Sequence, residues 1–304
     1  MATIVLMSRA SDMVARFAPG PKTAWTLVGA LAIPLWATWP LLAVLSTGTI
    51  PLFQFLTIIF SVGAVALYAF RKPTPAQLTS SEGSPSLVMR LLPPVMVSLG
   101  LLVSDIFFIE SLQHIPAAQA NLILYLWPLM VVGIGALLGL IQLRKQHFMA
   151  IAVGLCGAAL VIGPDSDGMT WSGISLAAAG GLAWAAFCVF RLWQGPNAPE
   201  ALTSGFTLSA AISLLLHLGL ETTVMPEPTA LLSAVLVGVI PLALGNLAWD
   251  HGIRRGDRVL LAVMAYATPL VGAVILILFG FANATIGLLL GGALIVAAGI
   301  VSAR

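Results

Sequence analysis

Charge is what this sequence has least of. Of 304 residues, 13 are Lys or Arg and 11 are Asp or Glu, 8% in all, where a soluble domain carries roughly 25%. With 60% apolar residues and a mean hydropathy of +1.05, that shortage excludes a water-soluble globular chain. The apolar runs leave no room for a soluble nucleotide-binding or catalytic domain. Cysteine is scarce too: Cys156 and Cys188 both fall inside apolar runs and read as small packing groups. The four histidines, His114, His147, His217 and His251, are scattered without i, i+4 pairing, so no metal site is suggested. Gly20-Pro21-Lys22-Thr23 lacks the upstream glycine and the Gly-Lys pair with which backbone amides cradle phosphate. No cofactor is expected. The net charge of +2 implies no nucleic-acid partner, because the basic residues are accounted for by orientation in a bilayer. Residues 1–23 place Arg9, Asp12 and Arg16 after a short apolar run, which is not the order of a cleavable signal, and read as an N-terminal arm.

Long apolar runs are what is present. They predict ten spans, at about 24–46, 50–70, 91–112, 117–141, 146–163, 171–193, 199–219, 229–253, 258–280 and 284–302. Continuous apolarity over these lengths predicts helices, since lipid offers the backbone no water. Cutting the chain this way puts every Lys and Arg on one side. They fall in the arm (Arg9, Arg16, Lys22), in alternate connections (Arg71, Lys72, Arg90; Arg144, Lys145; Arg191; Arg254, Arg255, Arg258) and at Arg304. The positive-inside bias then puts both termini in the cytoplasm, with Asp165, Asp167, Glu221 and Glu227 outside. Trp25, Trp171 and Trp193 sit at span ends as interfacial anchors would, and the Pro- and Ser-rich stretch from Arg71 to Arg90 reads as a long cytoplasmic loop.

A shift of 141 positions aligns Asp105 with Asn246, Tyr125 with Tyr266, Pro128 with Pro269, Ile134 with Ile275, Leu137 with Leu278 and Gly139 with Gly280. Trp36 and Trp184 give a weaker echo between the first and sixth spans. The expected fold is therefore an all-α integral membrane protein, with ten transmembrane helices in two five-helix repeats, 24–163 and 171–304. Five is odd, so the second repeat is inverted, an arrangement typical of secondary transporters with a site near the midplane.

Proline within a helix leaves the carbonyl four residues earlier without its donor. Pro128 would free Leu124 and Pro269 would free Ala265, so these carbonyls could meet an ammonium or hydroxyl, or else bond a neighbouring side chain. Asn121, Tyr125 and Pro128 share one face, while Trp127 lies nearly opposite Tyr125. Trp36, Trp39, Tyr125, Trp127, Trp184, Phe187, Trp249 and Tyr266 offer ring faces to a flat or cationic ligand, or serve as packing. Ionisable groups in the spans are few: Asp105, Glu110, Arg191, Asp250 and His251. Membrane carboxylates are functional candidates by default. Asp105 and Asp250 are thus candidates for proton coupling, whereas Glu110 can reach the outer surface and Arg191 can serve topology alone. Asn246, Trp249 and Asp250 share a face that would line a cavity. Gly135/Gly139 and Gly287/Gly291 are small-xxx-small pairs, internal to the fold or between protomers.

The two five-helix halves, the Tyr-x-x-Pro of the fourth and ninth spans, the Trp-rich first and sixth and the Gly-rich fifth and tenth together resemble the drug/metabolite transporter superfamily. The resemblance is to its EamA-type branch, and most of all to the YddG-like aromatic amino acid exporters. It implies a ten-helix basket with a cavity lined by the first, third, fourth, sixth, eighth and ninth spans. It also implies export of aromatic amino acids through a bacterial inner membrane. The absence of Lys or Arg from mid-span suits a neutral or zwitterionic solute better than a phosphorylated one. Its expected contacts are Trp36, Trp39, Asp105, Asn121, Tyr125, Trp184, Asn246, Trp249 and Tyr266. The expected partners are that solute and the lipid bilayer, with a monomer as one possible working unit. A passive channel, or a carrier of another metabolite or drug, stays open. An intramembrane protease dyad of Asp105 and Asp250 is disfavoured, because Ser104-Asp105-Ile106 and Trp249-Asp250-His251 lack that family's signatures; no enzyme is expected.

Overall fold

The computed structural model describes residues 20–46, 48–70, 87–161, 168–194 and 201–302. Most of the N-terminal arm with Arg9, Asp12 and Arg16, the stretch with Arg71 and Lys72, Asp165, Asp167 and Arg304 lie outside the described residues. Ten helical spans run through the rest. They are α1 (Pro21–Ala30, Ala32–Ala37 and Trp39–Ser46), α2 (Leu52–Phe70), α3 (Leu87–Ser111), α4 (Ala117–Leu124 and Trp127–Leu137), α5 (Lys145–Val161), α6 (Trp171–Gln194), α7 (Leu202–Leu220), α8 (Pro228–Val237, Gly238–Gly245 and Asn246–Arg255), α9 (Arg258–Ala265 and Thr268–Leu278) and α10 (Ile286–Ser302). Seven of the spans are long and apolar enough to cross a membrane; α5, the second half of α9 and α10 are shorter apolar helices. Seventeen residues, as in α5, rise about 25 Å, close to the roughly 30 Å of a bilayer's hydrocarbon core.

Proline explains the interior irregularities. In α1, Pro34 and Pro40 cannot donate to residues four back, and the helix is interrupted at Leu31 and Thr38. Thr38 closes its break by donating both its amide (3.3 Å) and its hydroxyl (2.7 Å) to the Leu35 carbonyl. In α8, Pro241 sits within a π-helical stretch, Gly238–Gly245, which rotates Asn246 and the residues after it relative to the first turns.

The breaks in α4 and α9 share several hydrogen bonds at positions 141 residues apart. Leu126 N donates to Ile123 O (3.1 Å) as Ala267 N does to Met264 O (2.9 Å), and each following half opens with its proline in the first turn. Both second halves end on a left-handed glycine, Gly139 (φ 72°) and Gly280 (φ 78°). Leu140 N reaches Gly135 O and Phe281 N reaches Leu276 O, both at 2.8 Å. These are the wrapped ends that glycine permits, so Gly139 serves a turn rather than a helix-packing pair.

The spans pair as α2 with α7, α5 with α10, α3 with α6, α1 with α8, α6 with α4, α1 with α9, and α4 with α9. The main core lies where α2, α3, α7 and α8 meet, around Leu56, Ile59, Phe60, Phe108, Phe206 and Val237. Phe206 stands edge-on to Phe60 at 5.6 Å, in space left by Gly63. Hydroxyls bridge the helices: Ser98 to Ser209 (2.9 Å), Ser46 to Ala230 O (3.0 Å) and Ser233 to Leu42 O (2.6 Å), a usual form of polar contact in lipid. Gly287 and Gly291 face α5. A Cβ on Gly291 would lie 2.6 Å from Gly157 O, and one on Gly287 2.8 Å from Leu160 O. The Gly287/Gly291 pair is therefore an internal packing surface.

Candidate functional site

One carboxylate lies in the interior of the spans. Asp105 stands on α3 with 8% exposure, and its Oδ2 is buried with no hydrogen-bond partner among the described residues. Burying a charge without a partner is costly, so this oxygen calls for a cation or a proton. Next to it, α3 presses on α6: a Cβ on Gly180 would come 3.1 Å from Ser104 O, and one on Gly100 would strike the Phe187 ring.

Five of the eight tryptophans gather in three groups. Trp36 and Trp249 lie 5.2 Å apart, between α1 and α8, tilted by 50°. The Trp36 indole rests over Gly245, the last residue of the π-helical stretch, where a Cβ would come 2.8 Å from Nε1. Between α4 and α6, Trp184 meets Trp127 edge-on at 6.4 Å, and on α6 itself it lies tilted by 49° against Phe187 at 5.2 Å. Trp39 stacks on Phe55 (6.3 Å) and lies tilted by 35° against Phe108 (5.7 Å). Phe55 in turn lines a small cleft at the Ser46 end of the bundle, together with Ile109, Glu110 and Gln113. Glu110 reaches that surface, half exposed and 3.7 Å from His114.

Other expected site residues have structural employment. Asn121, fully buried, donates to the Pro269 carbonyl at 3.2 Å. Tyr125 lies against Thr268, yet the Thr268 hydroxyl is buried without a hydrogen bond of good geometry. The Tyr266 ring packs on Gly299 of α10. Asn246 donates to Leu242 O at 2.7 Å, one turn back. Asp250 is partly buried on the same helix as Trp249. Pro128 and Pro269 are both buried at the breaks. The carbonyl that Pro128 deprives of a donor, that of Leu124, is covered by α6: a Cβ on Gly181 would sit 2.6 Å from it.

Comparison with known proteins places the chain in a family. A model of the EamA-like transporter family matches residues 23–163. The aromatic amino acid exporter YddG of Ancylobacter novellus is 33% identical over 283 residues, covering 90% of this chain and 95% of its own length. A solved crystal structure superimposes with a TM-score of 0.66 at 31% identity, over 92% of this chain and 96% of its own. The chain belongs to the EamA-like transporter family. It is thus a multi-pass membrane protein of the drug/metabolite transporter superfamily, a family of transporters rather than enzymes.

Two polar assemblies of this EamA-like transporter escaped the sequence reading. At the Lys22 end, α1 and α8 touch backbone to backbone, since a Cβ on Gly29 would lie 2.8 Å from the Gly252 Cα and one on Gly256 2.7 Å from Thr26 N. Trp25 stacks on His251 (5.7 Å) and lies under the Arg255 guanidinium (4.4 Å). Thr26 Oγ1 accepts from Asp257 N (2.8 Å), and Lys22 pairs with Asp257 (3.0 Å). At the other end, Glu221 accepts from Phe53 N (2.9 Å) and Gln54 N (3.0 Å), the open amides that start α2. His217 lies between Glu221 and Thr223, 2.9 Å from each, and the Gln54 side chain exchanges two hydrogen bonds with Val224. The spacing of His217 and Glu221, i and i+4 before a short connection, was the available signal. Nothing local pairs Trp25 with His251, 226 positions on.

Proposed function

We propose that this EamA-like transporter carries aromatic amino acids out of a bacterial cytoplasm across the inner membrane, by alternating access through a cavity between two inverted five-helix halves. Both termini then lie in the cytoplasm, at the Lys22 end. The observation that carries the reading is Asp105: a buried carboxylate oxygen without a hydrogen-bond partner among the described residues, in spans that hold no mid-membrane Lys or Arg. Such a group fits the ammonium of a zwitterion. Trp36, Trp184 and Trp249 offer ring faces for the aromatic side chain, at roughly 0.5 to 1.5 kcal/mol per well-placed pair. The Ancylobacter novellus protein, described as an aromatic amino acid exporter and similar over nearly the whole chain, supports that substrate class.

The halves are supported by the way the spans pair. Adding or subtracting five turns the pairs α3–α6 and α4–α6 into α8–α1 and α9–α1, and leaves α2–α7, α5–α10 and α4–α9 as they are. Matched proline breaks give each half one helix that bends near its middle. The closed α1–α8 contact at the Lys22 end corresponds to a state shut toward the cytoplasm.

Equilibrium binding tests the substrate class. Labelled phenylalanine, bound to purified protein in detergent, is expected to be displaced by tryptophan and tyrosine but not by alanine or a sugar phosphate. Displacement by alanine as strong as by tryptophan would remove the aromatic assignment and leave a broader amino acid carrier.

A further inference from the structure

Of the polar side chains expected to line the cavity, Asn121 is the most completely enclosed, at 2% exposure. Its Nδ2 donates to the Pro269 carbonyl of α9 at 3.2 Å. Facing it is Gly272, where a Cβ would come 3.1 Å from Nδ2, 3.3 Å from Ala37 O and 3.7 Å from Pro40. Spans α1, α4 and α9 thus meet around Gly272, in space that an added Cβ would crowd. Asn121 stands one turn before the α4 break, its own carbonyl accepting from Tyr125 N at 3.0 Å. Pro269 stands in the first turn after the α9 break. A second contact runs the same way, Tyr125 against Thr268.

A helix interrupted at a proline has lost ladder bonds across the break and bends there. Two such bends in separate helices move independently unless something ties them. The Pro269 carbonyl has a lone pair to spare beyond its helical bond, and Asn121 supplies the donor. We infer that Asn121 is a positioning residue that couples the α4 and α9 breaks so that they bend together, and that it makes no contact with substrate. This inference rests on the alternating-access reading.

The test uses full-length protein as wild type, Asn121→Leu, Gly272→Ala and the double variant. Turnover is measured in liposomes and phenylalanine affinity at equilibrium. Separately, without amino acid, the distance distribution is measured between spin labels at Leu137→Cys and Leu278→Cys, exposed ends of the two second halves, with Cys156 and Cys188 replaced. Turnover is expected to fall about five- to tenfold, the worth of one hydrogen bond, with Kd unchanged within about twofold. The label distribution broadens, Gly272→Ala does the same by displacing Asn121, and the double variant is no worse than either single one. Affinity that weakens in step with turnover, with an unaltered label distribution, would make Asn121 a substrate contact and overturn the inference; so would additive losses. If Asn121→Leu fails to fold, Gly272→Ala decides by the same readouts. A wild-type protein that binds no aromatic amino acid defeats the functional proposal, while the label distances still decide this one.

Discussion

At the scale of the residue, Asp105 was legible because a carboxylate in an apolar run stands out, and the structure gives it a buried oxygen with no hydrogen-bond partner among the described residues. Asp105→Asn is expected to weaken phenylalanine binding about ten- to a hundredfold, the worth of a charge-assisted hydrogen bond. The same change should weaken tryptamine equally and leave indole-3-propionate, which has no ammonium, unaffected. Equal loss for both analogues would assign Asp105 to packing. The polar groups around the proline breaks were less legible. The sequence marks Asn121 and Tyr125 as lying on one helix face, yet which neighbour takes up that face depends on α9, 148 residues away from Asn121 at Pro269. Gly245 was invisible for the same reason: its role is to leave room for Trp36, on a helix distant in sequence.

At the scale of the element, prolines announced the breaks in α4 and α9, and hydropathy placed the ends of the ten spans to within a few residues. The π-helical stretch of α8 was not announced, because whether Pro241 kinks, breaks or widens a helix depends on what packs against it. Glycines make the sharpest test here. Gly291 and Gly157 of α10 and α5 face each other's carbonyls, whereas Gly133 of α4 has nothing within 4 Å of where its Cβ would be. Gly291→Ala should lower stability by about 1 to 3 kcal/mol through overpacking, read as a lower melting temperature of the detergent-solubilised protein. Gly133→Ala should leave it unchanged or slightly raised, as helix propensity favours alanine; equal effects would contradict the packing described. Glu221→Ala leaves the Phe53 and Gln54 amides without their acceptor. It is expected to cost about 1 to 3 kcal/mol, measured the same way, and an unchanged melting temperature would show that water replaces the carboxylate at no cost.

For the whole molecule, the long apolar runs made the number of spans readable, and ten helical spans are found where they lie. The division into two halves belongs to the proposal, and its signal in the sequence is two tyrosines and two prolines 141 residues apart. What the sequence could not contain was the closure at the Lys22 end, where Gly29, Gly252, Trp25 and Arg255 come from opposite ends of the chain. Alternating access requires that contact to open. A reducible cross-linker between Lys22→Cys and Asp257→Cys, placed where the native side chains are 3.0 Å apart, should therefore stop transport, and reduction should restore it. Continued flux through the linked protein would mean that this end stays shut throughout. The most direct measurement is counterflow: labelled phenylalanine outside liposomes that hold the purified transporter and a high concentration of unlabelled phenylalanine. An accumulation of label above equilibrium that then decays is the expected result, since only a carrier that exposes one site to each side in turn can couple the two fluxes. Simple equilibration at a rate indifferent to the internal amino acid would contradict it and describe a channel instead.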